Sequence, residues 1–183
     1  MVMLFLADGF EEIEALTAVD LLRRAGVQVV TVGVTGKRVT GSHHIEVAAD
    51  ITAKEAAKRL AAGNVPEMVV LPGGMPGSTN LDASPVVDAY LRAAAEKDAY
   101  IAAICAAPFV LGKRGLLKGC RATCYPGFEK DLLGAETVDS GVVTDGKRIT
   151  GRAMGSATEF ALALVAALCG EETAEKIRQS IIA

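Results

Sequence analysis

Cys105 is the side chain of this sequence with the most chemistry available to it. It follows the apolar run Tyr100-Ile101-Ala102-Ala103-Ile104 and precedes Ala106-Ala107-Pro108, so it stands where a buried strand gives way to a helix, the corner that exposes a nucleophile in an elbow. Amides at a helix start would favour the thiolate and draw its pKa from ~8.5 toward the ~3.5–7.5 of activated cysteines. The small side chains of Ala106 and Ala107 leave the approach open. Burial as an inert core thiol is the competing reading. Cys120 and Cys124 have neither a second pair nor a histidine at zinc spacing, so no metal is expected. Cys124 is a candidate to resolve an oxidised Cys105, although a packing role in a strand fits it equally, and Cys169 lies in an apolar helix.

Two further segments supply partners for such a sulfur. Gly73-Gly74 lets the backbone approach a ligand with no Cβ in the way, and its amides could join that of Ala106 around a developing oxyanion. Glu11, Glu12 and Glu14 fall in the first turns of a helix, where carboxylates meet the positive end of the dipole. Glu11 and Glu12 read as a solvated face. Glu14 is set among Ile13, Ala15 and Leu16, and if it faces Cys105 the two acids should share one proton and titrate as a unit. Arg24 and Arg152 are candidates to face small anions, with surface solvation as the plainer account.

The elements that must position these residues are legible as alternating strands and helices. Residues 2–7 read as a strand, and Ile13, Leu16, Val19 and Leu21 recur at helical spacing up to a stop at Gly26. Val27–Val34 reads as a strand buried on both faces, and 38–48 as a small antiparallel excursion. Thr52-Ala53-Lys54-Glu55 has the form of a capping box, opening a helix that ends near Gly63. Met68–Leu71 is a strand, Ser84-Pro85 opens a helix reaching about Lys97, and 100–104 is a strand. Helix is expected over 106–111, strand over 121–124, and a hairpin of 142–144 with 148–150 around Asp145-Gly146. Two helices, 156–168 and 171–182, close the chain. This alternation predicts a parallel, doubly wound sheet with an antiparallel accessory, whose ligands sit beyond the carboxyl ends of the strands.

Composition narrows the function classes. A length of 183 residues suits a single domain over 1–183. Aromatic residues make up only 4% with no Trp, which argues against a reader of single-stranded nucleic acid. A net charge of -3 with scattered basic residues offers no footprint for a phosphate backbone. No apolar stretch approaches ~20 residues, so no membrane span is expected. The apolar run at the start lacks a basic flank and meets Asp8, Glu11 and Glu12, so a cytoplasmic protein with reduced thiols is expected.

Five blocks carry a family resemblance: Ala7-Asp8-Gly9-Phe10-Glu11-Glu12-Ile13-Glu14, Val19-Asp20-Leu21-Leu22-Arg23-Arg24-Ala25-Gly26, Val70-Leu71-Pro72-Gly73-Gly74, Ala102-Ala103-Ile104-Cys105-Ala106-Ala107-Pro108 and Thr158-Glu159-Phe160-Ala161-Leu162-Ala163. Together they resemble the ThiJ/PfpI superfamily, in its parkinsonism-associated deglycase branch, over nearly the whole chain. The resemblance implies a flavodoxin-like α/β three-layer sandwich with a mainly parallel sheet. It also implies a homodimer, Cys105 as nucleophile on an elbow, Glu14 as its protonated partner, and an oxyanion pocket from the amides of Gly74 and Ala106. Members of this branch are described as glutathione-independent glyoxalases, deglycases, and oxidation sensors with chaperone-like behaviour.

Two departures from related patterns rank the activities. Where the branch often carries a histidine before a proline, this chain has Cys124-Tyr125-Pro126, and Tyr, with a reference pKa of ~10, is a poor base at neutral pH. The only histidines, His43 and His44, cannot be placed near Cys105 from sequence. Protease-like members place a histidine directly after the cysteine, where Ala106 stands here. The leading expectation is therefore a cofactor-free cysteine enzyme acting on methylglyoxal-type 2-oxoaldehydes or their glycated adducts. The alternative is a redox-sensing stress-response protein or chaperone with an oxidisable Cys105.

Overall fold

Successive residues of a strand point to opposite faces of a sheet, and in Val2–Leu6 (β1) every residue is apolar and buried, so this strand must be covered on both sides. The computed structural model describes residues 1–183 and shows that arrangement. After β1 come Glu12–Arg24 (α1), Val29–Gly33 (β2), a hairpin of Arg38–Thr40 (β3) and Glu46–Ala48 (β4), Ile51–Thr52 (β5), Ala53–Ala61 (α2), Met68–Leu71 (β6), Gly77–Asp82 (α3) and Pro85–Glu96 (α4). The second half runs Tyr100–Ile104 (β7), Pro108–Lys113 (α5), Arg121–Ala122 (β8), Glu136–Thr137 (β9), Val142–Asp145 (β10), Arg148–Gly151 (β11), Ala157–Cys169 (α6) and Glu171–Ser180 (α7).

The main sheet has the order β10-β11-β7-β6-β1-β2-β5, and every neighbouring pair is parallel except β10 with β11. Alternate residues feed two cores. Met3, Phe5, Val69, Leu71, Ile101 and Ala103 pack under α2, α4 and α5, with Phe5 edge-on to Tyr90. Leu4, Leu6, Val70, Ala102 and Ile104 pack under α1, α6 and α7. This is the doubly wound sheet expected from the alternation and the flavodoxin-like three-layer sandwich that the resemblance implies. The helix starts agree with their caps: Thr52 and Glu55 form the reciprocal box, and Ser84 caps α4 with Pro85 in its first turn. No helix is long and apolar enough to cross a membrane.

Several elements differ from expectation, each for a local reason. The helix after Cys105 begins at Pro108, not Ala106; proline has a φ suited to a first turn and no amide to leave unpaired, and residues 105–107 form a turn instead. The hairpin around Asp145-Gly146 joins the main sheet, because β11 pairs in parallel with β7, and the antiparallel accessory is the separate β3–β4 pair. The strand expected over 121–124 shrinks to β8, which leaves the main sheet and pairs with β9. The short helix α3 had no apolar periodicity to announce it.

From β1 the chain order moves to one side through β2 and to the other through β6, so the connections leaving β1 and β6 diverge at their carboxyl ends. Such a switch point opens a crevice. Asp8–Glu11 leaves β1 there, Pro72-Gly73-Gly74 leaves β6, and Cys105 leaves the neighbouring β7.

Candidate active site

The pleat of β7 would aim residue 105 at the same face as Ile101 and Ala103, under α4 and α5. Cys105 instead takes a φ of +65°, a left-handed conformation that costs a residue with a Cβ about 1–3 kcal/mol, and its side chain packs toward the α1 and α6 face. Main-chain hydrogen bonds hold the turn on both sides: Cys105 N–H donates to the Gly151 carbonyl at 2.9 Å, and Tyr125 N–H donates to the Cys105 carbonyl at 2.8 Å. The sulfur-bearing residue is thus half-buried on a strained strand-to-helix turn.

Glu14, one turn into α1, is 1% exposed and is brought against this cysteine. Its Oε2 accepts the Gly73 N–H at 2.8 Å, and its carboxyl lies beside the Cys105 side chain. Its Oε1 is buried with no donor of regular geometry. Gly73 binds both ends of this arrangement, since its carbonyl accepts the Glu11 N–H at 2.9 Å. A Cβ on Gly73 would lie 2.5 Å from both the Cys105 Cβ and Glu14 Oε2. The expectation of Gly73 as an oxyanion donor is therefore corrected: its amide is committed to Glu14, and its lack of a side chain is what lets acid and thiol meet. Gly74, at φ +86°, passes too close to Glu11 and Gly9 for any side chain.

Burial pushes the Glu14 carboxyl up to about 7; hydrogen bonds from the Gly73 amide and the thiol oppose the shift, and the charge of Glu11 adds to it. Burial, together with the charge and hydrogen bond of Glu14, pushes the Cys105 thiol up to about 12, while the N–H groups of Gly74 and Ala106 work the other way. These directions correct the expectation of a simply acidified thiol. Sulfur and carboxyl form one pair that carries a single negative charge over a wide pH range, and the second charge is what burial and repulsion resist. With Gly73 holding the carboxyl and the Gly74 and Ala106 amides at the sulfur, that charge can rest on either group as the proton moves between them.

The remaining candidates separate. Arg24 lies at the far end of α1 and pairs with Asp20 at 2.7 Å, so it is remote from the carboxyl ends of the strands. Arg152 pairs with Asp139 at 2.6 Å and lines a cavity of about 230 Å³ with Cys124; it follows Gly151, whose carbonyl accepts the Cys105 N–H, but Cys105 does not line that cavity. Tyr125 contributes its main chain to the Cys105 turn, and its side chain is exposed. Cys124 is buried in the core under α2, α4 and α5, opposite the face on which Cys105 packs, which removes it as a resolving thiol; burial pushes it up to about 11. The roomiest groove, about 780 Å³ between α2 and α4, is lined with no thiol, carboxylate or imidazole and is not this site.

Glu11 and Glu12 are not the solvated face expected of them. Glu11 caps α1, its Oε2 accepting the Glu14 N–H at 2.9 Å. Glu12 is 3% exposed and clamps the turn between β3 and β4, accepting from the His43 N–H at 2.8 Å, with His43 Nδ1 at 3.0 Å. Burial opposes its charge, but the hydrogen bonds from His43 and Ile45 outweigh that and hold Glu12 below the usual carboxylate range. A side chain on Gly41 would collide with this carboxylate. No local pattern linked residues 41–45 to α1, because the contact spans about 30 residues and exists only once the hairpin folds over the helix start.

A raised carboxyl pKa ties stability to pH. Glu14 binds its proton more tightly folded than unfolded, so its contribution is fully present below its ordinary value of 4.5 and is lost as pH rises through about 7. Urea unfolding from pH 4.5 to 7.5 should show wild type losing about 3 kcal/mol relative to Glu14→Gln. Parallel curves for the two proteins would contradict the buried, proton-retaining carboxyl.

Comparison with known proteins agrees with this geometry. The description of the DJ-1/PfpI family fits residues 1–167. Protein dj-1beta of Drosophila melanogaster is 36% identical over 183 residues, covering 98% of this chain and 95% of that protein. The glutathione-independent glyoxalase DJR-1.2 of Caenorhabditis elegans is 31% identical over 164 residues, covering 88% of this chain and 84% of that protein. The structure of oxidized Toxoplasma gondii DJ-1 superposes with a TM-score of 0.91 at 34% identity, covering 99% of this chain and 97% of that one. With the sheet order, the strained cysteine turn and the buried acid beside it, these similarities mean that the chain belongs to the DJ-1/PfpI family.

Proposed function

We propose that this protein is a cofactor-free, glutathione-independent glyoxalase or deglycase-like enzyme acting on methylglyoxal-type 2-oxoaldehydes or their adducts. The observation that carries this reading is the proton-sharing pair of Cys105 and Glu14 with the Gly74 and Ala106 amides at the sulfur. A worm relative that bears the name of glutathione-independent glyoxalase supports the substrate class.

The steps follow from the atoms present. The pair loses its first proton chiefly from Glu14; the thiol proton then passes to that carboxylate, leaving the charge on sulfur and Glu14 protonated. The thiolate adds to the aldehyde carbon, forming a C–S bond; the carbonyl π electrons move to oxygen, where the Gly74 and Ala106 amides and then a proton from Glu14 stabilise them as a hemithioacetal. Glu14, now a carboxylate, is suited to take the proton from that carbon and return it to the adjacent carbonyl carbon, while the hemithioacetal hydroxyl proton passes to that carbonyl's oxygen. The first carbon is oxidised to a thioester as the second is reduced to an alcohol, so no outside oxidant is needed. Water then cleaves the C–S bond, releasing a 2-hydroxy acid and restoring the thiol.

A second reading, a redox-responsive stress protein, is favoured by the same half-buried thiol with a protonated acid and two amides beside it, an arrangement able to bind the oxygens of a sulfinate. Homodimerisation is proposed through the start of α1: Ile13 and Leu16 lie exposed one turn apart, and Ile45 is joined to that helix through Glu12 and is exposed as well. A cytoplasmic setting suits reduced thiols of this kind.

Purified protein should consume methylglyoxal and release lactate. Cys105→Ala should fall to the buffer background, and Glu14→Gln should lose about 10²–10⁴-fold in turnover. Equal rates in wild type and Cys105→Ala would end the enzymatic reading. Under mild peroxide, mass spectrometry should find two added oxygens on Cys105 before any other cysteine, and earlier oxidation of Cys120 or Cys169 would remove the sensor reading. In light scattering, wild type should have twice the mass of an Ile13→Asp/Leu16→Asp variant; a monomeric wild type would refute the dimer.

A further inference from the structure

We propose that His43 is a positioning residue for the Cys105–Glu14 pair: it clamps Glu12 and stands against Glu11, and its charge reaches Glu14 through Glu11. This rests on the reading of that pair given above and concerns how the pair is tuned. The connections are continuous. His43 donates its main-chain N–H to Glu12 Oε1 at 2.8 Å, its Nδ1 lies 3.0 Å from Glu12 Oε2, and the same Nδ1 lies 3.9 Å from Glu11 Oε1. Glu11 in turn accepts the Glu14 N–H at 2.9 Å and donates its own N–H to Gly73, whose amide holds Glu14 Oε2. The Ser42 N–H completes the anchor by donating to the Phe10 carbonyl at 2.7 Å.

His43 stands against two carboxylates and, when protonated, is a cation beside both. Glu11 and Glu12 face it from α1. On its own hairpin, His44 follows it at the turn, while Arg38 and Glu46 pair with each other; Asp8, from the loop after β1, accepts the Thr40 N–H. The negative charge of Glu11 makes Glu14 harder to ionise. When protonated, His43 offsets part of that field, so its removal should make the first proton of the Cys105–Glu14 pair harder to lose. Because the His43 side chain is largely exposed, solvent screening keeps the effect small, and substitution there leaves both cores intact.

The test is the pH dependence of iodoacetamide alkylation at Cys105, read by mass spectrometry of the Cys105 peptide, in wild type, His43→Gln and His43→Lys. The expected result is a midpoint raised by roughly 0.3–0.5 pH unit in His43→Gln, which keeps a donor for Glu12 but loses the charge, and returned to the wild-type value or below in His43→Lys. If wild type shows the alkylation step near 7 but both variants share its midpoint, His43 has no such role and the pair itself stands. A wild-type Cys105 with no step near 7 overturns the pair and the role of His43 together.

Discussion

Two acids held together in a buried notch with room for only one negative charge are the constraint on which the rest of this structure depends. Glu14 is almost fully enclosed and Cys105 half so, and the second ionisation is opposed both by desolvation and by the first charge. A proton that cannot leave both groups is available to move between them. That single property suits the sulfur to add to a carbonyl and the carboxyl to donate and then accept a proton.

The fold maintains this pair by removing every alternative position for its members. Cys105 is turned off the pleat of β7 by a left-handed backbone and tied at both its N–H and its carbonyl. Glu14 is carried on a helix whose cap, Glu11, is bonded to the same glycine that holds its carboxyl. Gly73 is the point at which these constraints meet, because a side chain there would occupy the space of both reacting groups. The strain in the cysteine turn is sustained by the sheet on either side, where β11 and β6 flank β7.

The electrostatics are layered outward from this centre. Glu11 opposes ionisation of Glu14, and Glu12, closer still in sequence, faces away and secures the β3–β4 turn. Three neighbouring glutamates thus have three environments. A helix start tolerates such a concentration of carboxylates because its unpaired amides and dipole favour negative charge; burial then raises Glu14, while the hydrogen bonds of the hairpin hold Glu12 low.

Much of this was legible in the chain. Residues 2–6, 68–71 and 100–104 are continuous apolar runs and 29–33 is one broken only by Thr31, as strands buried on both faces tend to be; the capping box at Thr52 and the Ser84-Pro85 start carry their own local hydrogen-bond logic. Cys105 and Glu14 were identifiable because a thiol at a strand end and a carboxylate among apolar neighbours are each out of keeping with their surroundings. What only the tertiary structure decided are the contacts between segments far apart in sequence: Gly73 binding Glu14 and not an oxyanion, Cys124 facing the opposite core, Arg24 at the wrong end of its helix, and His43 reaching Glu12 across about 30 residues. Local sequence sets which residues can be buried and which turns can form, but the pairing of one buried charge with another depends on where separate strands end in space.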